Sequence, residues 1–161
     1  MALLVRPAQP SDTSVVHALV RELAEYEKLL DQVVATEADT AAALFGENPR
    51  VFCDIAEWDG APAGFALWFY NFSTFRGVYG IYLEDLFVRP QFRGNGIGKA
   101  LLVSLARRAV AEGCARLDWA VLDWNTPSIS FYEKLGARPI TGWTGYRLTN
   151  EALTRLARET E

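Results

Sequence analysis

A chain of 161 residues, half of them hydrophobic and carrying nine Phe, six Tyr and five Trp, is long enough for one compact domain and too apolar to be disordered. At this size roughly 70% of the unfolded surface is buried on folding, so no disulfide or metal staple is required. Sixteen Lys and Arg against 20 Asp and Glu leave a net charge of −4, which argues against nucleic acid as a partner and suits a cationic small molecule.

The N-terminus, Met1 to Pro7, lacks the charged start and apolar length of a signal peptide, and Leu3 to Arg6 reads as a short strand closed by Pro7. Ser11 or Asp12 caps a helix whose apolar face includes Val16, Leu19, Val20 and Leu23. His17 falls in that rhythm as a helix-surface residue, and one histidine cannot build a zinc site, so no metal is expected. Thr36 caps a shorter helix that stops at Gly46. Val51–Trp58 and Gly64–Tyr70 form two strands joined through Asp59-Gly60, a hairpin signal. Asn71 to Gly80 reads as a loop with exposed aromatics, and Ile81–Val88 as another strand.

The period then changes. Ile97, Leu101, Leu105 and Ala109 recur every four residues, so a helix runs to Gly113. Leu117–Leu122 is a mostly apolar strand, expected to be buried on both faces and parallel to a neighbour. Thr126-Pro127 opens a short helix that stops at Gly136. Strands near Arg138–Thr141 and Tyr146–Thr149 follow, and Asn150 caps a last helix carrying Leu153 and Leu156. Cys53 and Cys114 read as buried thiols. No run approaches the ~20 apolar residues of a membrane span, so the expectation is a soluble, cytoplasmic protein with no membrane partner. The order predicts one mixed α/β domain, antiparallel in its first half, with a strand–helix–strand crossover at its centre.

The most informative stretch is Val88-Arg89-Pro90-Gln91-Phe92-Arg93-Gly94-Asn95-Gly96-Ile97-Gly98-Lys99, which places three glycines at alternate positions where a helix begins. Without Cβ atoms a phosphate can approach the backbone, several N–H groups converge, and the positive end of the helix dipole adds attraction. Arg93 and Lys99 bring charge nearby. It lacks the lysine position of a Walker loop and the glycine spacing of a dinucleotide fingerprint.

Arg93-Gly94-Asn95-Gly96-Ile97-Gly98 resembles the acetyl-CoA pyrophosphate motif (Q/R-x-x-G-x-G/A) of the GNAT N-acetyltransferases. Ile81-Tyr82-Leu83-Glu84-Asp85-Leu86-Phe87-Val88 resembles that family's central strand, and Trp124 to Ala137 its second cofactor segment. Glu22-Leu23-Ala24-Glu25-Tyr26-Glu27 is similar to the substrate-side helix of its diamine (spermidine/spermine and thialysine) acetyltransferases. The resemblance spans nearly the whole chain. It implies a single GNAT domain over 1–161, with a twisted mixed sheet splayed at its centre and helices on both faces. Acetyl-CoA would enter the splay between the Ile81–Val88 and Leu117–Leu122 strands.

The resemblance also assigns roles. The backbone of Leu86, Phe87 and Val88 would pair with the pantetheine arm, Arg93, Gly94, Asn95, Gly96, Ile97, Gly98 and Lys99 would hold the pyrophosphate, and Asn125 and Ser128 would line the other side. Tyr132 would protonate the departing sulfur. Glu84 would contact the acceptor amine and help remove its proton, with Asp85, Tyr26 and Glu27 on the substrate side. Such chemistry is reasonable in itself: an alkylammonium of pKa ~10.4 must lose a proton to attack, and a phenol of pKa ~10 can protonate a thiolate of intrinsic pKa ~8.5. Strict strand alternation sends Glu84 and Asp85 to opposite faces. Thr144 stands where the polyamine-specific relatives carry an acidic residue, which favours a small mono- or diamine, including one with an amino-acid end, over spermine. A homodimer is implied as well. Protein lysine or N-terminal acetylation, and a non-catalytic acetyl-CoA-binding module, are the competing readings.

Overall fold

The computed structural model describes residues 2–160. One unit, extending through Leu122, contains β1 (Leu3–Pro7), α1 (Thr13–Tyr26), α2 (Glu37–Phe45), β2 (Phe52–Trp58), β3 (Ala61–Ser73), β4 (Val78–Val88), α3 (Ile97–Ala111) and β5 (Leu117–Trp119). A second unit, from Asp123, contains α4 (Thr126–Lys134) and α5 (Asn150–Ala157). The sheet runs in the order β1-β2-β3-β4-β5. Its first four strands are antiparallel, and β5 lies parallel to β4. A parallel pair needs a crossover, which α3 supplies.

Alternation along β2 and β3 decides which helix covers which face. Cys53, Ile55 and Phe65, with Phe87 from β4, pack against Val16, Leu19 and Leu23 of α1 and Leu44 of α2. The intervening residues meet α3, whose Ile97, Leu101 and Leu105 are buried and whose Arg108 guanidinium lies 5.0 Å over the Trp68 ring. The expected mixed sheet with helices on both faces is what the chain builds. Its opening is equally clear. β5 pairs with β4 only at Ile81, Tyr82 and Leu83. From Asp85 to Val88, β4 keeps β3 on one side and has no strand on the other among the described residues.

Several expectations fail for identifiable reasons. The 71–80 segment is mostly strand, because β3 continues to Ser73 and β4 begins at Val78. Aromatic pairing extends the ladder there: Phe72 and Tyr79 oppose each other with ring centroids 5.0 Å apart. β5 stops at Trp119 instead of reaching Leu122, and it is half-buried, not buried on both faces. Neither 138–141 nor 146–149 is a strand. Pro139 cannot donate to a ladder, and Trp143 and Tyr146 are 82% and 96% exposed, so no buried face rewards pairing. Thr149, not Asn150, is the N-cap of α5, and Asn150 takes a left-handed φ of 53°. Cys53 is buried, but Cys114 is only half-buried.

Candidate active site

β4 carries its carboxylates at an irregularity. Asp85 pairs with Leu67 while Leu83 pairs with the next residue of β3, Trp68, so Glu84 is an extra residue without a partner. Such a bulge resets the alternation. Asp85 therefore joins Leu67 and Phe87 on the α1 face, whereas Leu83, opposite Trp68, faces α3. The expected strict alternation across Glu84 and Asp85 does not hold. Glu84 is exposed and Asp85 half-buried. Burial first, and then the charges of Glu84 and Glu27, push the Asp85 carboxyl up to about 7.

Glu27 reaches this region because α1 ends just before it. Lys28 adopts a left-handed φ of 62°, terminating the helix, and the Leu29 N–H bonds back to the Ala24 carbonyl at 2.8 Å. That leaves Tyr26 and Glu27 at the negative end of the helix dipole. Burial raises the Glu27 carboxyl as well. The helix end is tied to β4 by Arg89, which donates to Glu22 at 2.9 Å and to the Pro62 carbonyl at 3.0 Å. Glu27, Glu84 and Asp85 thus belong to one electrostatic neighbourhood beside the open end of β4, and Tyr26 precedes Glu27 at the same helix end. The signals that sequence reading could not supply are the bulge and the helix stop at a lysine.

The glycine turn follows directly. Gly94 and Gly96 have φ of 84° and 75°, and a Cβ built on either meets nothing within 4 Å. Gly96 is the N-cap of α3 and has no side-chain cap bond. The first helical bond is Ala100 N–H to the Gly96 carbonyl, so the N–H groups of Ile97, Gly98 and Lys99 have no intrahelical acceptor. Ile97 can contribute only its backbone, since its side chain is core. Asn95 braces the turn, its Nδ2 donating to the Phe92 carbonyl at 2.9 Å. Arg93 is exposed, and its side chain folds back over its own turn and the end of α1. Its Nε donates to the Val88 carbonyl at 2.9 Å, and its guanidinium lies 5.1 Å from the Tyr26 ring centroid and 5.6 Å from that of Phe87. Leu86 and Val88 are half-buried, and Phe87 is core.

In the second unit Asn125 is buried and caps α4, its side chain accepting from the Ser128 N–H at 3.4 Å. Tyr132 is half-buried one turn further along, with its ring 5.5 Å from that of Phe131, and the Ala137 N–H bonds to its carbonyl. Among the described residues no group of three or more His, Cys, Asp or Glu is arranged to hold a metal ion, and no helix is long and apolar enough to cross a membrane.

The open strand edge, the uncapped helix start and the glycines suit a thioester on a pantetheine–pyrophosphate arm, and similarity to known proteins agrees. The model of the acetyltransferase (GNAT) family matches residues 16–137. A thialysine N-epsilon-acetyltransferase of Sus scrofa is 41% identical over 97% of this chain and 98% of its own. An L-ornithine N5-acetyltransferase of Arabidopsis thaliana is 32% identical, over 92% of this chain and 85% of its own. Among solved structures, an integron cassette protein from the mobile metagenome of V. cholerae superposes with a TM-score of 0.82 at 29% identity, covering 99% of both chains. The chain belongs to the GNAT acetyltransferase family and is an acetyl-CoA-dependent N-acetyltransferase.

Proposed function

We propose that the acceptor is a small cationic amine, acetylated directly in a ternary complex, and that Glu84 and Tyr132 carry the proton transfers. The observation that supports this most is the group Glu27, Glu84 and Asp85, whose mutual repulsion at the end of α1 an ammonium would relieve. Relatives named for thialysine and L-ornithine, both amines with an amino-acid end, point the same way.

In this reading acetyl-CoA supplies an activated acyl group, and the chain supplies position and protons. The free edge of Leu86, Phe87 and Val88 offers main-chain partners to an extended arm, in the manner of an added strand. Gly94, Gly96 and the first N–H groups of α3 receive the pyrophosphate, with Arg93 and Lys99 adding charge, and the family resemblance assigns Asn125 and Ser128 to the cofactor as well. Glu84, exposed at the bulge, attracts the ammonium and takes its proton, directly or through water. Tyr132 gives a proton to the departing sulfur. Asp85, Glu27 and Tyr26 hold the rest of the acceptor. The whole of 1–161 acts as one domain, which the family match across the boundary at 122–123 supports. A homodimer working in the cytoplasm is the form the family resemblance favours, and sedimentation at micromolar protein tests the dimer.

One experiment tests the reading: CoA release measured against thialysine, L-ornithine, diamines, spermine and lysine-containing peptides, on wild type and Tyr132→Phe. Turnover on small amines that drops by ~10²-fold in the folded variant is expected, the usual scale for losing a general acid. Activity confined to peptides, or wild-type turnover in Tyr132→Phe, would overturn it.

A further inference from the structure

β4 carries a gap two residues before Tyr82. Gly80 has no side chain, and Asn71 from β3 leans over it: a Cβ at Gly80 would lie 2.5 Å from Asn71 Oδ1. Across that gap Asn71 Nδ2 meets Asp118 Oδ2 at 3.5 Å, and Asp118 is paired with Arg116, Nε to Oδ2, at 3.0 Å. Asn71 alternates with Leu67 and Phe69, so this cluster is on the α1 face, the face that Asp85 shares. Asp118 is in register with Tyr82, whose ring stacks on Phe69 with centroids 5.2 Å apart. Tyr82 thus separates the bulge carboxylate from an ion pair. Burial raises its phenol first, and the charges of Glu84 and Asp118, one from each side, raise it further.

We propose that Arg116 and Asp118 form a subsite for the amino-acid end of the acceptor, with the Tyr82 ring as the floor under its methylenes. This rests on the small-amine reading above and names the class within it: an α,ω-diamino acid carrying its reacting amine three or four chain atoms from the α-carbon. Lengths agree. Two residues of strand and one strand spacing put the Asp118 and Glu84 backbones roughly 8 Å apart. The extended chain from the reacting nitrogen to the α-carbon is roughly 5–6 Å, and side chains close the remainder. Charges agree too. A zwitterion can lay its α-ammonium on Asp118 and its carboxylate on Arg116, antiparallel to the existing pair. Arg116 is half exposed and its 3.0 Å contact with Asp118 is made through Nε, so its terminal nitrogens can turn to a carboxylate in a forked contact. The second ammonium of a diamine corresponds to that α-ammonium and can lie on Asp118 as well, but it brings no carboxylate to Arg116, so the free amino acid is favoured.

The test compares thialysine with 1,5-diaminopentane, and L-lysine with lysinamide, in wild type, Arg116→Ala, Arg116→Lys and Asp118→Asn, with melting curves to verify folding. Wild type should favour each free amino acid over its carboxyl-lacking counterpart. Arg116→Ala should lower the ratio of kcat/KM, thialysine over diaminopentane, by ~10-fold or more through KM, the scale of a charge-assisted hydrogen bond, and Arg116→Lys should restore part of it. Asp118→Asn should lower kcat/KM for both acceptors, since each presents an ammonium to it, and should change their ratio less than Arg116→Ala does. A wild-type enzyme indifferent to the carboxylate, or Arg116→Ala acting equally on both acceptors, would overturn the subsite even while amines remain substrates. Absence of transfer to every one of these free amines would instead bring down the acceptor reading beneath it.

Discussion

Two helix ends flank the open part of β4, and they prepare for ligands in opposite ways. α1 brings its negative end to a place already crowded with Glu27, Glu84 and Asp85. α3 begins, with its positive end, at a turn where Gly94 and Gly96 leave open space. In the proposed reading, recognition on the acceptor side would be stored as repulsion between side chains, which a cation would relieve. On the cofactor side it would be stored as empty volume and backbone donors, which an anion would fill. The first is sensitive to protonation, and the second to a single added side chain.

The largest effect should therefore come from filling the turn. Gly96→Glu adds bulk and negative charge at a position whose φ of 75° already disfavours any L side chain. Acetyl-CoA affinity measured by calorimetry should fall by ~10²-fold or more while the far-ultraviolet dichroism is preserved. Unchanged affinity in the folded variant would remove the turn from the cofactor site and dissolve the contrast between the two ends.

A smaller effect is expected where the two regions touch. Arg93 belongs to the turn by sequence, yet its guanidinium stacks on Tyr26 at the end of α1 and its Nε holds the Val88 carbonyl. Arg93→Lys keeps the charge but loses the planar stack and the fixed fork. We expect ~10-fold higher KM for both acetyl-CoA and the amine, since a stack and a charge-assisted bond are each worth about 1–2 kcal/mol. If only the acetyl-CoA KM moved, Arg93 would be a plain phosphate ligand and the two regions independent.

The glycine turn was legible because its mechanism is written in residue type: only glycine combines a positive φ with the absence of a Cβ, and three alternate glycines before an apolar stripe mark a helix start. The apolar faces of α1 and α3 were legible for the same local reason. The bulge was not, because Ile81 to Val88 reads as an unbroken strand and the extra residue shows only in the pairing of Leu67 and Trp68 with their neighbours. Nor was the reach of Asn71 to Asp118, since it depends on a gap at Gly80 between strands distant in sequence. The misread segments share a cause. At 71–80 and 136–149 polar and aromatic residues are mixed without a period, and long-range pairing, or its absence, settles the outcome.

The smallest effect, and the sharpest on the acceptor side, concerns Asp85. Its carboxyl is held at about 7 by burial and then by Glu84 and Glu27, against 3.8 when unfolded. The folded state therefore retains a proton the unfolded chain has lost, and stability declines as pH rises from about 4 to about 7. Asp85→Asn removes that slope. Relative to wild type the variant should be no more stable near pH 4, gain steadily through the window, and lead by about 1–3 kcal/mol at pH 8, less than the full shift implies because Asp85 is only half-buried. Urea titrations across this range measure it. Acceptor binding reverses the balance, since an ammonium favours the ionised carboxylate. Wild-type kcat/KM for the amine should climb near pH 7 with a limb that the variant lacks. A stability gain that is the same at every pH would mean that packing, not charge, sets Asp85 apart, and the acceptor side would then owe its selectivity to shape.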